Sequence, residues 1–327
     1  MSEIRTDPLT GFTTIFAPER ARRPIKILED ASQYVATQEQ IDSDPFAEGK
    51  EAETTPELFA IRSSATTANQ PGWNVRVVAN KYPALSPVSG SDHYGVHEVI
   101  VECPEFETRV SRLNQRQFQY IFQAYRQRVA AHRDDPHTHY ALIFKNQGIL
   151  GGASLGHVHS QLLVSHLIPQ ALQQELQAAR THQSEQGCSL FKTFTRDSTD
   201  GFSGRVMSTE YFDIICPYAS RFAYETWVIP RSLKTHFDHS SDQELDDLSC
   251  ITRRLLCSLE SLLGRHDLNY VIQMPPYETS EQDGYAWSLR IYPRLAHLAG
   301  FEIASNAFIN PVYPEQAIEQ LRRQLSP

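Results

Sequence analysis

Residues 144–161 read FKNQGILGGASLGHVHSQ and join a glycine-rich turn to a run in which His157, His159 and Gln161 alternate with other residues. In a β-strand, residues two apart point to the same side, so these three side chains are predicted to project from one face. Backbone amides in a glycine-rich turn can approach a phosphate closely, and a neutral imidazole is a good nucleophile near neutral pH. The segment therefore predicts a strand that presents a nucleophilic histidine beside a phosphate-binding loop.

The sequence around this segment shows the same order of elements twice, about 130 residues apart. The first copy predicts strands at 73–78 and 97–102, a helix at 114–133 with apolar residues on one face, and strands at 140–145 and 157–165. The second predicts strands near 212–216 and 225–229, a helix from residue 241, and strands at 269–273 and 286–292. Asn114 with Gln117, and Ser241 with Glu244, have the spacing of a helix-capping box. The repetition predicts an α+β fold of two units, each an antiparallel sheet packed with helices.

We place the two domains at 1–190, which contains the His-x-His-x-Gln motif, and at 191–327, a degenerate copy. The polar segment 181–204 is predicted to connect them, and in residues 1–57 only a short strand near 13–17 is predicted. Residues 286–288 read Ala-Trp-Ser where 157–159 read His-Val-His, so the second copy lacks a nucleophile. One active site per chain is expected.

Composition narrows the class of protein. The chain has 327 residues, 40% of them hydrophobic, and a formal net charge of -9, which argues against a general nucleic-acid or anionic-membrane surface. Its five cysteines form no CxxC pair, which is usual in a reducing cytoplasm. No apolar leader and no apolar run long enough for a membrane span occurs. A soluble, cytoplasmic protein is expected.

The motif at 144–161 resembles the active-site segment of the galactose-1-phosphate uridylyltransferases and of the related ADP-glucose phosphorylases, which are duplicated members of the histidine-triad superfamily. Similar blocks follow in order through nearly the whole chain: DPLTG at 7–11, APERARRP at 17–24, TPE at 55–57, WNVRVVANKYP at 73–83, GFE at 300–302 and INPV at 309–312. The resemblance implies two histidine-triad-like domains and a nucleotidyltransferase. Such an enzyme moves a nucleoside monophosphate between sugar phosphates.

The resemblance also implies roles for individual residues. His159 is implied as the nucleophile that takes the nucleotidyl group as a phosphoramidate, with its tautomer fixed by the carbonyl of His157. Gln161 is implied to donate to a phosphoryl oxygen, and it favours transfer because hydrolases of the superfamily have a third histidine there. Glu302 is implied to contact sugar hydroxyls, in the partner subunit of a homodimer. The remaining implied phosphate or nucleoside contacts are Arg20, Arg23, Asn80, Lys81, Asn146 and Ser154.

The zinc sites of that family are where this sequence departs from it. The family motif CPFC reads Asp44-Pro45-Phe46-Ala47 here, and Phe106 stands where a zinc-binding histidine is expected. Of the first site only His157 remains, and one ligand does not hold zinc. At the second site Ala286-Trp287-Ser288 replaces the family's HWH or THW. The position that would supply a second ligand beside Cys188 is occupied by Phe191. No metal cofactor is expected, and His157 is given a structural role.

Three functions stay open at this point. The first is a UDP-glucose:hexose-1-phosphate uridylyltransferase of galactose metabolism. The second is an adenylyltransferase acting as an ADP-sugar phosphorylase with inorganic phosphate as acceptor, favoured by the absence of the Asn-Pro that usually precedes the first histidine in uridylyltransferases. The third is a nucleotide-binding pseudoenzyme, which the presence of His159 and Gln161 opposes. A dinucleoside polyphosphate hydrolase is a weaker fourth option, because Gln161 disfavours hydrolysis. The expected partners are a nucleotide sugar and a sugar 1-phosphate, with no nucleic acid and no membrane.

Overall fold

The computed structural model describes residues 3–22, 37–62, 65–87, 94–195 and 202–325. The strands within these ranges are β1 (Glu3–Thr6), β2 (Thr13–Phe16), β3 (Glu57–Arg62), β4 (Trp73–Ala79), β5 (Gly95–Val101), β6 (Tyr140–Gln147), β7 (His159–Ser165), β8 (Arg205–Ser208), β9 (Phe212–Ile215), β10 (Thr226–Pro230), β11 (Asp267–Gln273), β12 (Ser288–Arg294) and β13 (Phe308–Asn310). The α-helices are α1 (Gln38–Asp42), α2 (Gln115–Ala130), α3 (Gln170–Gln186), α4 (Phe191–Thr195), α5 (Asp242–Leu263), α6 (Gly300–Ser305) and α7 (Pro314–Leu325).

Ten of the strands form one antiparallel sheet in the order β3-β4-β5-β7-β6-β11-β12-β10-β9-β8. Read inward from either edge, this order gives the same succession of strands, so the two halves of the sheet are related by an approximate twofold axis between β6 and β11. The prediction of an α+β fold with an internal duplication is thereby confirmed. The sequence did not predict that the two halves join edge to edge into one sheet. They meet where β6 pairs with β11, with Leu268 opposite Gln147 and Ile272 opposite Ile143. A small second sheet joins β1, β2 and β13.

The two long helices α2 and α5 pack together on one side of the large sheet, which we call the helix face. The five α2 residues at helical spacing are all buried there: Phe118, Ile121, Phe122, Tyr125 and Val129. Five leucines of α5 are buried in the same core: Leu245, Leu248, Leu255, Leu256 and Leu259. Removing each such side chain from water contributes about 1.5–3 kcal/mol, so this apolar layer fixes how the helices lie on the sheet.

Helix α5 begins with the predicted capping box, since Ser241 accepts from the Glu244 amide and Glu244 accepts from the Ser241 amide. Helix α2 has only half of one. The Asn114 side chain accepts from the Gln117 amide at 2.9 Å, but the Gln117 side chain donates to the carbonyls of Asn74 and Glu102 instead of reaching back. The prediction of a full box at 114–117 is wrong because these buried strand-end carbonyls compete for the amide.

The segment 181–204, predicted as a polar connector, is helical over much of its described length. Helix α3 runs to residue 186 and is ended by Gly187 at a φ of 67°, and α4 follows at 191–195. The glutamines of α3 conceal a buried stripe of Leu172, Leu176 and Ala179, which packs on the side of the sheet opposite the helix face. The domain boundary placed after residue 190 falls between α3 and α4. Strand β7 begins at His159, two residues later than expected.

Within the described ranges, no helix is both long enough and apolar enough to cross a membrane.

Candidate active site

Strand β7 alternates between the two sides of the sheet. Gln161 lies opposite Val99 of β5 and Phe144 of β6, whereas Ser160 lies opposite Lys145. Because paired residues of neighbouring strands share a side, His159 and Gln161 lie on one side, which we call the site face. Ser160 and Lys145 lie on the helix face. The prediction that His159 and Gln161 project from one face is confirmed, whereas His157, which was predicted to lie in the same strand, precedes it.

The His159 ring is held as a neutral imidazole. Its Nδ1 lies 2.7 Å from the carbonyl oxygen of His157, to which Nδ1–H donates, so Nε2 keeps its lone pair. The residue is only 6% exposed, and burial lowers the pKa of His159 to about 4. The Phe46 ring packs edge-on at 5.3 Å between ring centroids. At pH 7 this side chain is an unprotonated imidazole in a fixed orientation, which is the form in which histidine can act as a nucleophile.

A buried polar network on the helix face holds the backbone of the same residue. Lys145 Nζ donates to the His159 carbonyl at 3.0 Å and forms an ion pair with Glu102. The other Glu102 oxygen accepts from the hydroxyls of Tyr125, Ser160 and Tyr270. Burial alone would raise the pKa of Glu102, but Lys145 and these hydroxyls outweigh it and hold the pKa below its usual range. A charged carboxylate therefore anchors the strand behind His159.

The glycine loop, residues 148–156, is anchored by the second half of the chain. Asp267 Oδ2 accepts from the Leu150 amide at 2.7 Å, and Asn269 Nδ2 donates to the Gly151 carbonyl at 2.7 Å. Gly148 has a φ of 75°, and a Cβ there would collide with the Asp267 carboxylate. Position 148 therefore requires glycine both for its conformation and for its contact with β11.

Two amide side chains flank His159 on the site face. Gln161 Oε1 lies 2.7 Å from His97 Nε2 and 3.4 Å from Asn80 Nδ2. On the other side, Asn146 Oδ1 accepts from Asn269 Nδ2 at 2.8 Å. The structure thus brings together His159, Gln161, Asn80 and Asn146, all of which the sequence singled out.

No hydrogen bond joins the other predicted site residues to this group within the described part of the chain. Lys81 and Ser154 are exposed, on the turn after β4 and on the glycine loop. Arg20 is exposed on a 3-10 turn at 18–22, and Arg23 lies outside the described residues. Glu302 accepts from the Ala299 amide at 3.0 Å and so caps its own helix, α6.

The residues at the family's first zinc site do not fit a zinc ion. His157 Nδ1 lies 2.6 Å from Asp44 Oδ2, while its Nε2 lies 2.9 Å from the Cys103 carbonyl and 3.6 Å from Cys103 Sγ. Asp44 and Cys103 therefore meet opposite edges of one ring and cannot converge on a single ion. Phe106 packs edge-on against the same ring. Nowhere in the described residues do three or more His, Cys, Asp or Glu side chains form a group that could hold a metal.

The second half has no counterpart of His159. Ser288 begins β12 as His159 begins β7, so Arg290 occupies the place of Gln161. Arg290 Nη1 and Nη2 donate to the Glu175 carboxylate of α3, at 2.8 and 2.7 Å, and Tyr285 donates to the same carboxylate. A buried ion pair thus occupies the place that corresponds to Gln161 in the first half.

Sequence reasoning missed His97, Asn269, Asp267 and Asp44. His97 had a usable signal, because it is two and four residues before Val99 and Val101 on a predicted strand and therefore shares their side of the sheet. For Asp44 the sequence shows only that it stands where the family motif has a cysteine. Asn269 and Asp267 reach the site through the pairing of β6 with β11, and no local pattern shows that pairing.

Comparison with known proteins agrees with this geometry. A model of the N-terminal domain of galactose-1-phosphate uridyl transferase matches residues 1–169. ADP-glucose phosphorylase of Arabidopsis thaliana is 30% identical over 336 residues, which cover 98% of this chain and 92% of that protein. Galactose-1-phosphate uridylyltransferase of Thermotoga maritima is 24% identical over 265 residues, which cover 74% and 82%. A crystal structure of the Arabidopsis thaliana ADP-glucose phosphorylase with bound ADP-glucose superposes with a TM-score of 0.84, at 29% identity and full coverage of both chains.

Proposed function

The chain belongs to the galactose-1-phosphate uridylyltransferase family of nucleotidyltransferases, and on that premise we propose that it transfers an adenylyl group as an ADP-sugar phosphorylase. The observation that carries this choice is the extent of similarity to ADP-glucose phosphorylase, which runs over 98% of the chain at 30% identity. The first expectation from the sequence, a preference for UDP-glucose, becomes the second candidate.

The proposed reaction has two displacement steps at the α-phosphorus. In the first, His159 Nε2 forms a bond to the α-phosphorus of the ADP-sugar, the bond from that phosphorus to the bridging oxygen breaks, and sugar 1-phosphate leaves with the electron pair. In the second, an oxygen of inorganic phosphate attacks the same phosphorus and the imidazole leaves, so ADP is released. The covalent intermediate lets the two anionic substrates occupy the site in turn instead of together.

Each step suits the groups around His159. The ring is neutral at pH 7 because burial holds its pKa near 4, so attack needs no prior deprotonation. The hydrogen bond from Nδ1 to the His157 carbonyl stabilises the positive charge that the ring acquires on bonding to phosphorus. We assign Gln161 and Asn146 as donors to the phosphoryl oxygens, and the glycine loop with Ser154 as a further phosphate contact. Arg20, Arg23, Asn80, Lys81 and Glu302 keep their proposed roles toward phosphate, nucleoside and sugar.

The second candidate is the hexose-1-phosphate uridylyltransferase. It is supported by the family model over residues 1–169, and it uses the same first step with UDP-glucose. The two candidates differ in the base that is held and in the acceptor that enters second.

We also propose that the site works without zinc, that the chain forms a homodimer, and that it acts in the cytoplasm. Asp44 and Phe106 at the former ligand positions support the first point. The exposed apolar side chains of Phe301 and Ile303 beside Glu302 support a subunit contact. The five unpaired cysteines support a reducing compartment. Elemental analysis and light scattering of the purified protein test the first two points.

The deciding experiment mixes excess enzyme with ADP-glucose or UDP-glucose in the absence of acceptor. We expect ADP-glucose to release one equivalent of glucose 1-phosphate per active site and to add the mass of AMP to the protein. His159→Gly should abolish both signals, and His137→Gly, at an exposed histidine outside the site, should leave them intact. Release from UDP-glucose alone would select the second candidate. Release without an adduct, or undiminished release from His159→Gly, would overturn the covalent mechanism.

A further inference from the structure

The two amides beside His159 pose an orientation problem. The ends of a glutamine or asparagine side chain have nearly the same shape, but one accepts and the other donates. A phosphoryl group is negatively charged, so it is stabilised only by the NH2 end. An amide turned the other way would place an oxygen against it. Something in the fold has to hold Gln161 and Asn146 with their nitrogens toward the phosphorus.

For Gln161, the orientation follows from donors that cannot be reversed. The backbone amide of Ala84 donates to His97 Nδ1 at 3.0 Å, so the proton of the neutral ring is on Nε2. Burial lowers the pKa of His97 and keeps the ring neutral at pH 7. His97 Nε2–H therefore donates to the atom 2.7 Å away, and that atom of Gln161 has to be the oxygen.

Asn80 gives a second donor to the same oxygen. Its Oδ1 accepts from the backbone amide of Tyr82 at 2.9 Å, so its Nδ2 is the end that lies 3.4 Å from Gln161 Oε1. Asn80 Nδ2 also lies 3.2 Å from His97 Nε2, but since that ring nitrogen carries the proton, the two donors are in contact without a hydrogen bond. With Oε1 held by two donors, the remaining end of Gln161 is its NH2. No hydrogen bond from the Gln161 side-chain nitrogen is found among the described residues. This nitrogen therefore remains as a donor on the same face as His159, two residues away along the strand.

Asn146 is fixed in the same way from the other half of the chain. Arg294 can only donate, and its Nη1 lies 2.8 Å from Asn269 Oδ1. The other end of Asn269 is therefore its NH2, which donates to Asn146 Oδ1 and to the Gly151 carbonyl. Again the end of Asn146 that is left over is a donor.

We propose that His97 and Asn269 are positioning residues that hold the Gln161 and Asn146 amides nitrogen-first toward the transferred phosphoryl group. This rests on the proposed function for the chemistry that the amides serve, but the orientation itself is a property of the free protein. Neither residue needs to touch substrate. Each acts through one amide, and each hydrogen-bond chain begins at an obligate donor.

The first test is kinetic and uses single-turnover release of glucose 1-phosphate from ADP-glucose. His97→Leu removes the donor to Gln161, and we expect the rate to fall about 10–100-fold with little change in the half-saturating concentration of ADP-glucose. Complete loss of one preorganised donor costs about 100–1,000-fold, and here the Gln161 amide is still present. His97→Gln, whose amide nitrogen can reach the place of Nε2, should restore the rate to within about threefold of wild type.

A double-mutant cycle separates positioning from a general structural effect. In the Gln161→Ala background, His97→Leu should change the rate less than about twofold, because the group through which it acts is gone. In the Asn146→Ala background its full effect should remain. Asn269→Asp is compared in the wild-type and Asn146→Ala backgrounds. The part of its rate loss that disappears in Asn146→Ala measures the orientation of Asn146, and the part that remains measures the anchoring of Gly151. Equal effects of His97→Leu in all backgrounds would overturn the proposal for Gln161, and an undiminished Asn269→Asp effect would overturn it for Asn146.

A second measurement does not depend on activity. Nitrogen NMR of histidine-labelled protein, with the His97 signal assigned by its loss in His97→Gln, should show a neutral ring protonated at Nε2 at pH 7. A ring protonated at Nδ1 would overturn the orientation of Gln161 whatever the kinetics show. If wild type releases no sugar phosphate but His97 is protonated at Nε2, the proposed function fails and the orientation stands.

Discussion

The ion pair between Lys145 and Glu102 allows a quantitative test of how the nucleophile's strand is held. Both side chains are fully buried, and replacing Lys145 by Met leaves the Glu102 charge without its partner. Loss of one member of a buried pair costs about 3–5 kcal/mol. The entropy of unfolding is about 2.1 cal/mol/K per residue, which for 327 residues gives about 0.7 kcal/mol/K. Lys145→Met should therefore lower Tm by about 4–7 °C.

The Tm of the double variant relative to the single variants distinguishes an unpaired charge from lost packing. Glu102→Gln alone leaves the Lys145 ammonium buried and should cost a similar amount. Glu102→Gln with Lys145→Met removes both charges while a side-chain oxygen still accepts from Tyr125 and Ser160. Because a buried pair replaced as a whole often costs little, the double variant should have a higher Tm than either single variant.

Scanning calorimetry of the four proteins measures this directly, with Arg323→Met as the matched control. Arg323 pairs with Glu319 one turn away on α7, and both side chains are mostly exposed, so loss of that pair should cost about 0.3–0.5 kcal/mol and lower Tm by less than 1 °C. Additive losses in the double variant, or a Lys145→Met shift as small as the control, would refute the assignment of Glu102 as a charged anchor of β7.

Three further outcomes are expected. The rate of glucose 1-phosphate release should stay level from pH 8 to about 5 and fall with an apparent pKa near 4, the value for buried His159; a limb near 6.5 would contradict the buried neutral ring. Gly151→Ala should destabilise by about 1–3 kcal/mol, because its Cβ would strike the backbone carbonyl oxygens of Gln147 and Leu268, whereas Gly156→Ala, with ordinary contacts only, should shift Tm little. Asp44→Ala should cost about 1–3 kcal/mol and slow release by displacing the carbonyl that orients His159, with chemical denaturation and single-turnover rates as the measurements.

The fold was predictable where the sequence has a local period. The apolar stripe of α2 and the alternation of His159 with Gln161 each follow from one repeating geometry, and both are found in the structure. Strands β1, β3, β8 and β13, of three to six residues each, were not predicted. They are too short for alternation to stand out. Strands β1, β3 and β8 each pair with the next strand along the chain, whereas β13 pairs with the distant β2. The α3 helix was missed because its glutamines hide a narrow buried stripe.

The site was predictable where a residue bears the chemistry, and hidden where a residue holds another in place. His159, Gln161 and Asn146 stand in one motif whose residue types point to phosphoryl chemistry. His97 is 64 residues from its partner Gln161, and Asn269 is 123 residues from Asn146. No spacing rule links positions that far apart, since only the sheet order brings them together.

That sheet order also explains why the degenerate half is retained. If the second half were only a remnant, the first half could work without it, since all the residues assigned to the chemistry of His159 precede residue 170. Yet β6 would then be an open sheet edge, the Leu150 amide would lose Asp267, and Asn146 would lose the donor that orients it. In the second half Ser288 stands at the place of His159 and a buried Arg290–Glu175 pair at the place of Gln161, while β11 still holds the loop and one amide of the first half. The lack of an active site in the second half therefore takes no group away from the first half. Removal of β11 would take away two, Asp267 and Asn269.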